Sequence, residues 1–143
     1  MLNLNDQIGF NIYRVALLFR RELIRALKAY DLTPEQWQIL ATLWQQQALT
    51  QSQIIDLTLQ DAPTASRTIT RMQKKNLIHK HQSTIDKRAT IISLTKHGNS
   101  LNQQIPKILN NHFKPILQQV SKKDQQILLN ILQNFRKILG DKV

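Results

Sequence analysis

The chain has 143 residues, with 20 Lys and Arg against nine Asp and Glu, a formal net charge of +11 and no cysteine. That length suits one unit with its own core, the charge predicts a polyanionic partner, either nucleic acid or an anionic membrane surface, and the missing thiols exclude disulfides, thiolate metal sites and thiol redox sensing. No apolar run approaches the ~20 residues of a membrane span and no basic-then-apolar leader opens the chain, so a cytoplasmic protein is expected.

The first helix is predicted from about Asn5 to Tyr30. Ile8, Ile12, Val15, Phe19, Leu23 and Leu27 recur at helical spacing, with Arg14, Arg20, Arg21, Arg25 and Lys28 spread over the remainder. A charged amphipathic helix could lie on a membrane, but the downstream pattern supplies a core for this one. Thr33-Pro34-Glu35-Gln36 is a strong helix start, with Thr33 as cap, Pro34 in the first turn and Gln36 at the reciprocal capping-box position. Trp37, Leu40, Ala41 and Trp44 follow as one apolar face. Thr50-Gln51-Ser52-Gln53 repeats the capping logic for a short helix that packs through Ile54 and Leu57.

Asp61 caps the next helix, with Pro63 in its first turn. Ala65, Ile69 and Met72 are spaced to face inward, whereas Thr64, Arg67, Thr70, Arg71 and Lys74 form an opposite face of hydrogen-bonding and cationic groups. Asn76 falls where a left-handed C-terminal residue is expected. Leu77 to His81 and Thr90 to Leu94 read as a two-stranded hairpin with Thr84-Ile85-Asp86-Lys87-Arg88 at its tip. Thr95 caps a long helix reaching about Val120, which Pro106 or Pro115 would kink or interrupt. Ser121, with Asp124, opens the last helix, whose Ile127, Leu128, Ile131, Leu132, Phe135, Ile138 and Leu139 make an unusually wide apolar stripe.

Charge is distributed unevenly along this plan. Between Glu35 and Ser66 there is no Lys or Arg; Arg67, Arg71, Lys74, Lys75, Lys80, Lys87 and Arg88 then arrive with only Asp86 among them. Cations that begin at one helix mark a surface. A solvated basic face is the bland alternative. The outer helices carry more apolar surface than a small lobe can cover, so they are expected to interleave with a second copy of the chain; a monomeric bundle is the alternative.

These residues resemble the multiple-antibiotic-resistance regulator (MarR) family of bacterial winged helix-turn-helix transcription factors. The likeness runs through Leu32-Thr33-Pro34-Glu35-Gln36-Trp37, Leu49-Thr50-Gln51 and Asp61 to Arg71. It closes with Asp86-Lys87-Arg88-Ala89 and Leu94-Thr95-Lys96-His97-Gly98, which fit the family's wing signature of Asp, any, Arg, five residues, Leu-Thr, two residues, Gly. The resemblance implies a mainly α fold with a small β-hairpin wing: a winged helix-turn-helix lobe over 32–98 and dimerisation helices over 1–31 and 99–143. It also implies a homodimer on pseudo-palindromic double-stranded DNA, usually a repressor, often relieved by a small molecule. The recognition-helix positions are then Pro63, Thr64, Ser66, Arg67, Thr70 and Arg71, and the wing positions Asp86, Lys87 and Arg88. Asn76 stands where the family usually has Gly, Thr70 where Asp is common, and Ala65 where Val is usual.

Within that frame Arg67 is placed to reach base edges in the major groove, and Thr64 and Ser66 to bond phosphates or bases near the helix N-terminus. Lys74 and Lys75 lie further along and are expected on phosphates. Arg88 suits the narrow minor groove, with Asp86 orienting it; a purely structural Asp86–Arg88 turn is the alternative. For an effector, aromatic or carboxylated, Phe10, Tyr13, Arg14 and Trp37 are the candidates, at the junction of the first two helices with the long fifth one, and ordinary packing is the competing reading. No cofactor is expected. Enzyme chemistry finds no phosphate loop and no His beside a plausible nucleophile and acid, and His79 and His81, which share a strand face and could in principle bind a metal, are expected beside the wing to be DNA-proximal or exposed. The functional alternative is a sequence-tolerant, nucleoid-like architectural protein.

Overall fold

Capping chemistry sets where the helices begin in the computed structural model, which describes residues 1–143. A 3-10 turn (Leu4–Asp6) leads into α1 (Ile8–Leu27), which ends in a second 3-10 turn (Lys28–Tyr30). Then come α2 (Pro34–Gln46), β1 (Ala48–Thr50), α3 (Gln51–Thr58), α4 (Ala62–Lys74), β2 (Ile78–Gln82) and β3 (Thr90–Leu94). The chain closes with α5 (Lys96–Ser100), a 3-10 turn (Leu101–Gln103), α6 (Ile105–Leu117) and α7 (Lys122–Ile138). Both capping boxes are formed. Thr33 accepts from the Gln36 N–H at 3.2 Å while Gln36 accepts from the Thr33 N–H, and Thr50 and Gln53 do the same at 3.0 and 2.8 Å.

The sheet has three strands, in the order β1-β3-β2, all antiparallel. The expected two-stranded hairpin is present, with Ile78 opposite Leu94 and Gln82 opposite Thr90. The third strand, β1, was not expected. Its three residues are too few to display a period, and its conformation is set by pairing of Leu49 with Ile92 across the sheet.

The expected long helix after Thr95 is interrupted. Thr95 does cap, accepting from the Gly98 N–H at 2.9 Å, but the helix it starts lasts only to Ser100. Pro106, at the start of α6, has no N–H to give the preceding turn and its ring would collide with the carbonyl four residues back, so the chain breaks into a 3-10 turn first. Pro115 lies inside α6 near its C-terminal end without ending it.

The core joins Leu27, Ile39, Leu40, Leu43, Ile54, Ile69, Met72, Ile92 and Ile105, all fully buried, with Ala26, Leu32, Leu77, Leu101 and Leu109 around them. It therefore crosses both edges of 32–98. On α2 the buried face is Gln36, Ile39, Leu40 and Leu43 rather than one centred on the tryptophans. Trp37 and Trp44 are half-buried on its flank, because α3, α4 and the sheet pack around the Ile39–Leu43 side.

A tight corner holds the sheet against the helices. Thr95 donates its hydroxyl to the Asn76 carbonyl at 2.7 Å and its N–H to the Leu77 carbonyl at 3.0 Å, while the Trp44 indole N–H reaches the Gly98 carbonyl at 3.0 Å. A Cβ at position 98 would lie 2.1 Å from the Leu77 carbonyl oxygen. Glycine is required there by close backbone approach. On the frame, α1 packs along α6 with Phe19 stacked on Phe113 at 5.8 Å, but α7 buries none of its residues.

Candidate nucleic-acid interface

Helix α4 sorts its two faces completely. Ala65, Ile69 and Met72 are fully buried and Thr68 nearly so, packed toward α2 and α3. Opposite them Pro63, Arg67, Thr70, Arg71 and Lys74 are exposed, with Thr64 and Ser66 half-buried at the shoulder. The helix starts where Asp61 accepts the Thr64 N–H at 2.8 Å. That N–H and the Thr64 hydroxyl hold the Asp61 carboxyl below its usual range, with the Arg67 charge adding a smaller push in the same direction.

The helix stops just as specifically. Asn76 adopts φ 57°, the Leu77 N–H reaches back to the Met72 carbonyl at 3.0 Å and the Asn76 N–H to that of Gln73 at 2.9 Å. This is a Schellman ending built on Asn instead of Gly. On the outward face Arg67 donates to the Thr64 hydroxyl at 3.1 Å, and Thr70 donates back to the Ser66 carbonyl at 3.0 Å. The ion pairs of the chain engage none of Arg67, Arg71, Lys74, Lys87 or Arg88.

Lys75 departs from the expectation of a phosphate-contacting residue. Its ammonium bonds the Asp31 carbonyl, lies 3.4 Å from the Asp31 carboxylate and 3.3 Å from Gln36 Oε1. At the helix C-terminus the chain has rotated this side chain away from the cationic face and toward the start of α2. Lys75 thus ties α4 to the α1–α2 junction.

The wing tip is organised by side chain–backbone bonds. Ser83 Oγ accepts the N–H groups of Ile85 and Asp86, both at 3.2 Å, and Asp86 Oδ1 accepts the Arg88 N–H at 3.0 Å. The Ala89 N–H closes on the Asp86 carbonyl at 2.9 Å, and the Gln82 amide bonds the Lys87 carbonyl. Asp86 therefore shapes the backbone of the turn and, contrary to the expectation that it orients Arg88, does not bond the Arg88 guanidinium. Lys87 and Arg88 are exposed, as are His79 and His81 on β2.

A cleft of about 610 Å³ opens between α1, α2 and α6. Of the four residues expected to line an effector pocket, only Trp37 does. Phe10, Tyr13 and Arg14 lie nearer the N-terminus of α1, outside the cleft, with the Arg14 guanidinium 5.6 Å over the Phe10 ring. The lining comes instead from Phe19, Arg20, Leu23, Leu109 and Phe113. Since α1 leads through Lys28–Tyr30 directly into α2, only the C-terminal half of α1 can border α2, which was the signal available in the sequence. Arg20 holds Glu35 with two bonds, at 2.6 and 3.2 Å, across that border. No helix is long and apolar enough to cross a membrane.

Comparison with known proteins agrees with this geometry. Residues 32–90 match the profile of the MarR family. The chain is 28% identical to the uncharacterised HTH-type transcriptional regulator YwaE of Bacillus subtilis over 127 residues, 88% of this chain and 74% of that one. It is 26% identical to the HTH-type transcriptional regulator MgrA of Staphylococcus aureus over 104 residues, 72% of this chain and 71% of that one. In fold it matches the S. aureus MepR–DNA complex with a TM-score of 0.79 at 22% identity, covering 92% of this chain and 97% of MepR. With its winged-helix lobe and its Gly98 corner, the chain is similar over residues 32–90 to the MarR family of transcriptional regulators, and its fold is that of MepR.

Proposed function

We propose that this regulator binds double-stranded promoter DNA in the cytoplasm as a homodimer, acting as a repressor, with α4 in the major groove and the wing in the minor groove. The observation that carries the reading is the sorting of α4: an inner face fully packed, an outer face of Arg67, Thr70, Arg71 and Lys74 whose cations make no ion pair within the chain. Arg67 reads base edges, where a bidentate pair with guanine is worth ~1–3 kcal/mol of discrimination. Pro63, Thr64 and Ser66 bring the N-terminal end of the helix against phosphates, Thr70 and Arg71 border the bases, and Lys74 holds the backbone. Arg88 and Lys87 occupy the minor groove, on a turn shaped by Asp86. That MepR, of similar fold, forms a complex with DNA supports DNA as the partner.

The homodimer rests on α7, which has no fully buried residue within its own chain, and on the groove it forms with α1, lined by Ile12, Val15, Phe19, Leu128 and Leu132. A second copy is the occupant of matching length and polarity. An effector reading rests on the cleft: a compact aromatic carboxylate would stack among Phe19, Trp37 and Phe113 and compete with Glu35 for Arg20.

A second reading, the architectural protein, is favoured by where the charge lies. Residues outside 32–98 carry twelve Lys and Arg against five Asp and Glu, so more than half of the net charge sits away from the reading face. One experiment separates the two. Duplexes selected from a random library are compared with unrelated duplexes at fixed salt; a regulator gives a ratio of at least ~10³, and a ratio near one refutes it.

A further inference from the structure

The wing tip carries one side chain that neither folding nor charge accounts for. Ile85 is 97% exposed. It lies between Ser83, whose hydroxyl oxygen accepts its N–H, and Asp86, whose carboxylate closes the turn. No apolar side chain of the chain can cover it, because the hairpin projects from the core and its neighbours are Thr84, Asp86, Lys87 and Arg88. A β-branched residue is also a poor choice for a solvated turn, where Gly, Asn, Asp and Ser are favoured. The turn nevertheless fixes the backbone on both sides of it.

We infer that Ile85 is an apolar wedge that presses against a base-pair step in the minor groove, held there by the cations of Lys87 and Arg88. This rests on the DNA-binding reading above and adds a different kind of selectivity to it. Apolar side chains that enter a minor groove partly unstack a step, and the cost of unstacking is lowest at flexible pyrimidine–purine steps such as TpA. An arginine alone favours the opposite: stiff A-tracts with a narrow groove. The two contributions therefore separate on flanks of equal A·T content. Covering the outer part of an isoleucine side chain corresponds to roughly a tenfold gain in affinity, and that gain is independent of salt, because no counterion is released.

The test uses the full-length protein and a duplex selected from a random library, with 2-aminopurine placed at successive flank steps and with the flanks changed between TATA and AATT. Wild type is expected to brighten 2-aminopurine at one step on each flank and to prefer TATA. Ile85→Ser is expected to lose that brightening, to bind the TATA duplex about tenfold more weakly and to keep the wild-type salt slope; Ile85→Met restores both signals. Arg88→Ala, by contrast, lowers the salt slope. Unchanged affinity and fluorescence in Ile85→Ser, or a loss accompanied by a lower salt slope or lower thermal stability, overturns the wedge while leaving the regulator reading intact. If wild type prefers no duplex over another, the function itself has failed and the wedge with it.

Discussion

Replacing Gly98 with alanine is the sharpest structural test of the fold. The added Cβ would stand 2.1 Å from the Leu77 carbonyl oxygen, 3.1 Å from its carbon and 3.3 Å from Leu94 Cδ2. Two of these three atoms are backbone, so no rotamer change relieves the clash. The α5 segment and the α4–β2 corner must part by roughly 1.3 Å to restore ordinary contact. That displacement strains the Thr95 N–H bond to Leu77, the Gly98 N–H bond to Thr95 and the Trp44 indole bond to Gly98. Overpacking costs about 1–3 kcal/mol and each of the three lost hydrogen bonds about 1 kcal/mol, so Gly98→Ala is expected to destabilise by about 4–6 kcal/mol in total. Gly140 provides the comparison: nothing lies within 4 Å of its Cβ position, and only its φ of +79° opposes a side chain. Gly140→Ala should cost about 1 kcal/mol. Urea denaturation at one fixed protein concentration measures both. A loss below about 1 kcal/mol for Gly98→Ala would show that the corner yields cheaply and that the glycine is not there for space.

Four further outcomes are expected. Leu128→Asp with Leu132→Asp should leave only monomer, or unfolded chain, in sedimentation at low micromolar concentration; an intact dimer would place the interface elsewhere. Arg67→Ala should flatten the preference for selected over random DNA, whereas Lys74→Ala should weaken both about equally and lower the salt slope by roughly one; the reverse result would mean that α4 docks in another orientation. Arg88→Ala should cost more affinity on A·T-rich than on G·C-rich flanks without lowering thermal stability, and equal losses would reduce it to a phosphate contact. Asp61 and Asp141 titrate below their ordinary value of 3.8, Asp61 through the Thr64 N–H and hydroxyl and Asp141 through Arg136 and the Val143 N–H. Depressed folded-state values mean that their stabilisation is complete above that value and is lost as pH falls below it; Asp61→Asn should flatten the acid limb of a stability–pH curve, and an unchanged limb refutes the assignment.

The parts of the fold that were readable from sequence are those decided within a few residues. Thr33 and Thr50 with their glutamines, Asp61 ahead of Pro63, and Asn76 after Lys75 each carry their own local hydrogen-bond partner, so type and boundary could be read together. The parts that were not readable depend on distant chain. β1 is a strand because β3 lies beside it, and the flank position of Trp37 and Trp44 follows from what surrounds Ile39 and Leu43. The charge pattern located the cationic face of α4 but could not reveal that Lys75 turns inward to Asp31, because sequence counts a charge without its direction. Phe10, Tyr13 and Arg14 were the wrong half of α1 for the cleft, and Asp86 bonds backbone where a guanidinium was expected.

Because Ala26 and Leu27 on one side and Leu101, Ile105 and Leu109 on the other complete the same core, the order of synthesis matters. At ~5–20 residues per second, about 4–16 s separate the appearance of Leu27 from that of Leu109 on the ribosome. For the last part of that interval, between the synthesis of Lys74 and that of Leu109, the nascent helix-turn-helix has no lid over its apolar interior although its recognition helix is already translated. Chaperone engagement should therefore fall on the growing chain rather than on the released one, and a ribosome stalled before Leu101 should present a protease-sensitive chain despite holding the entire wing.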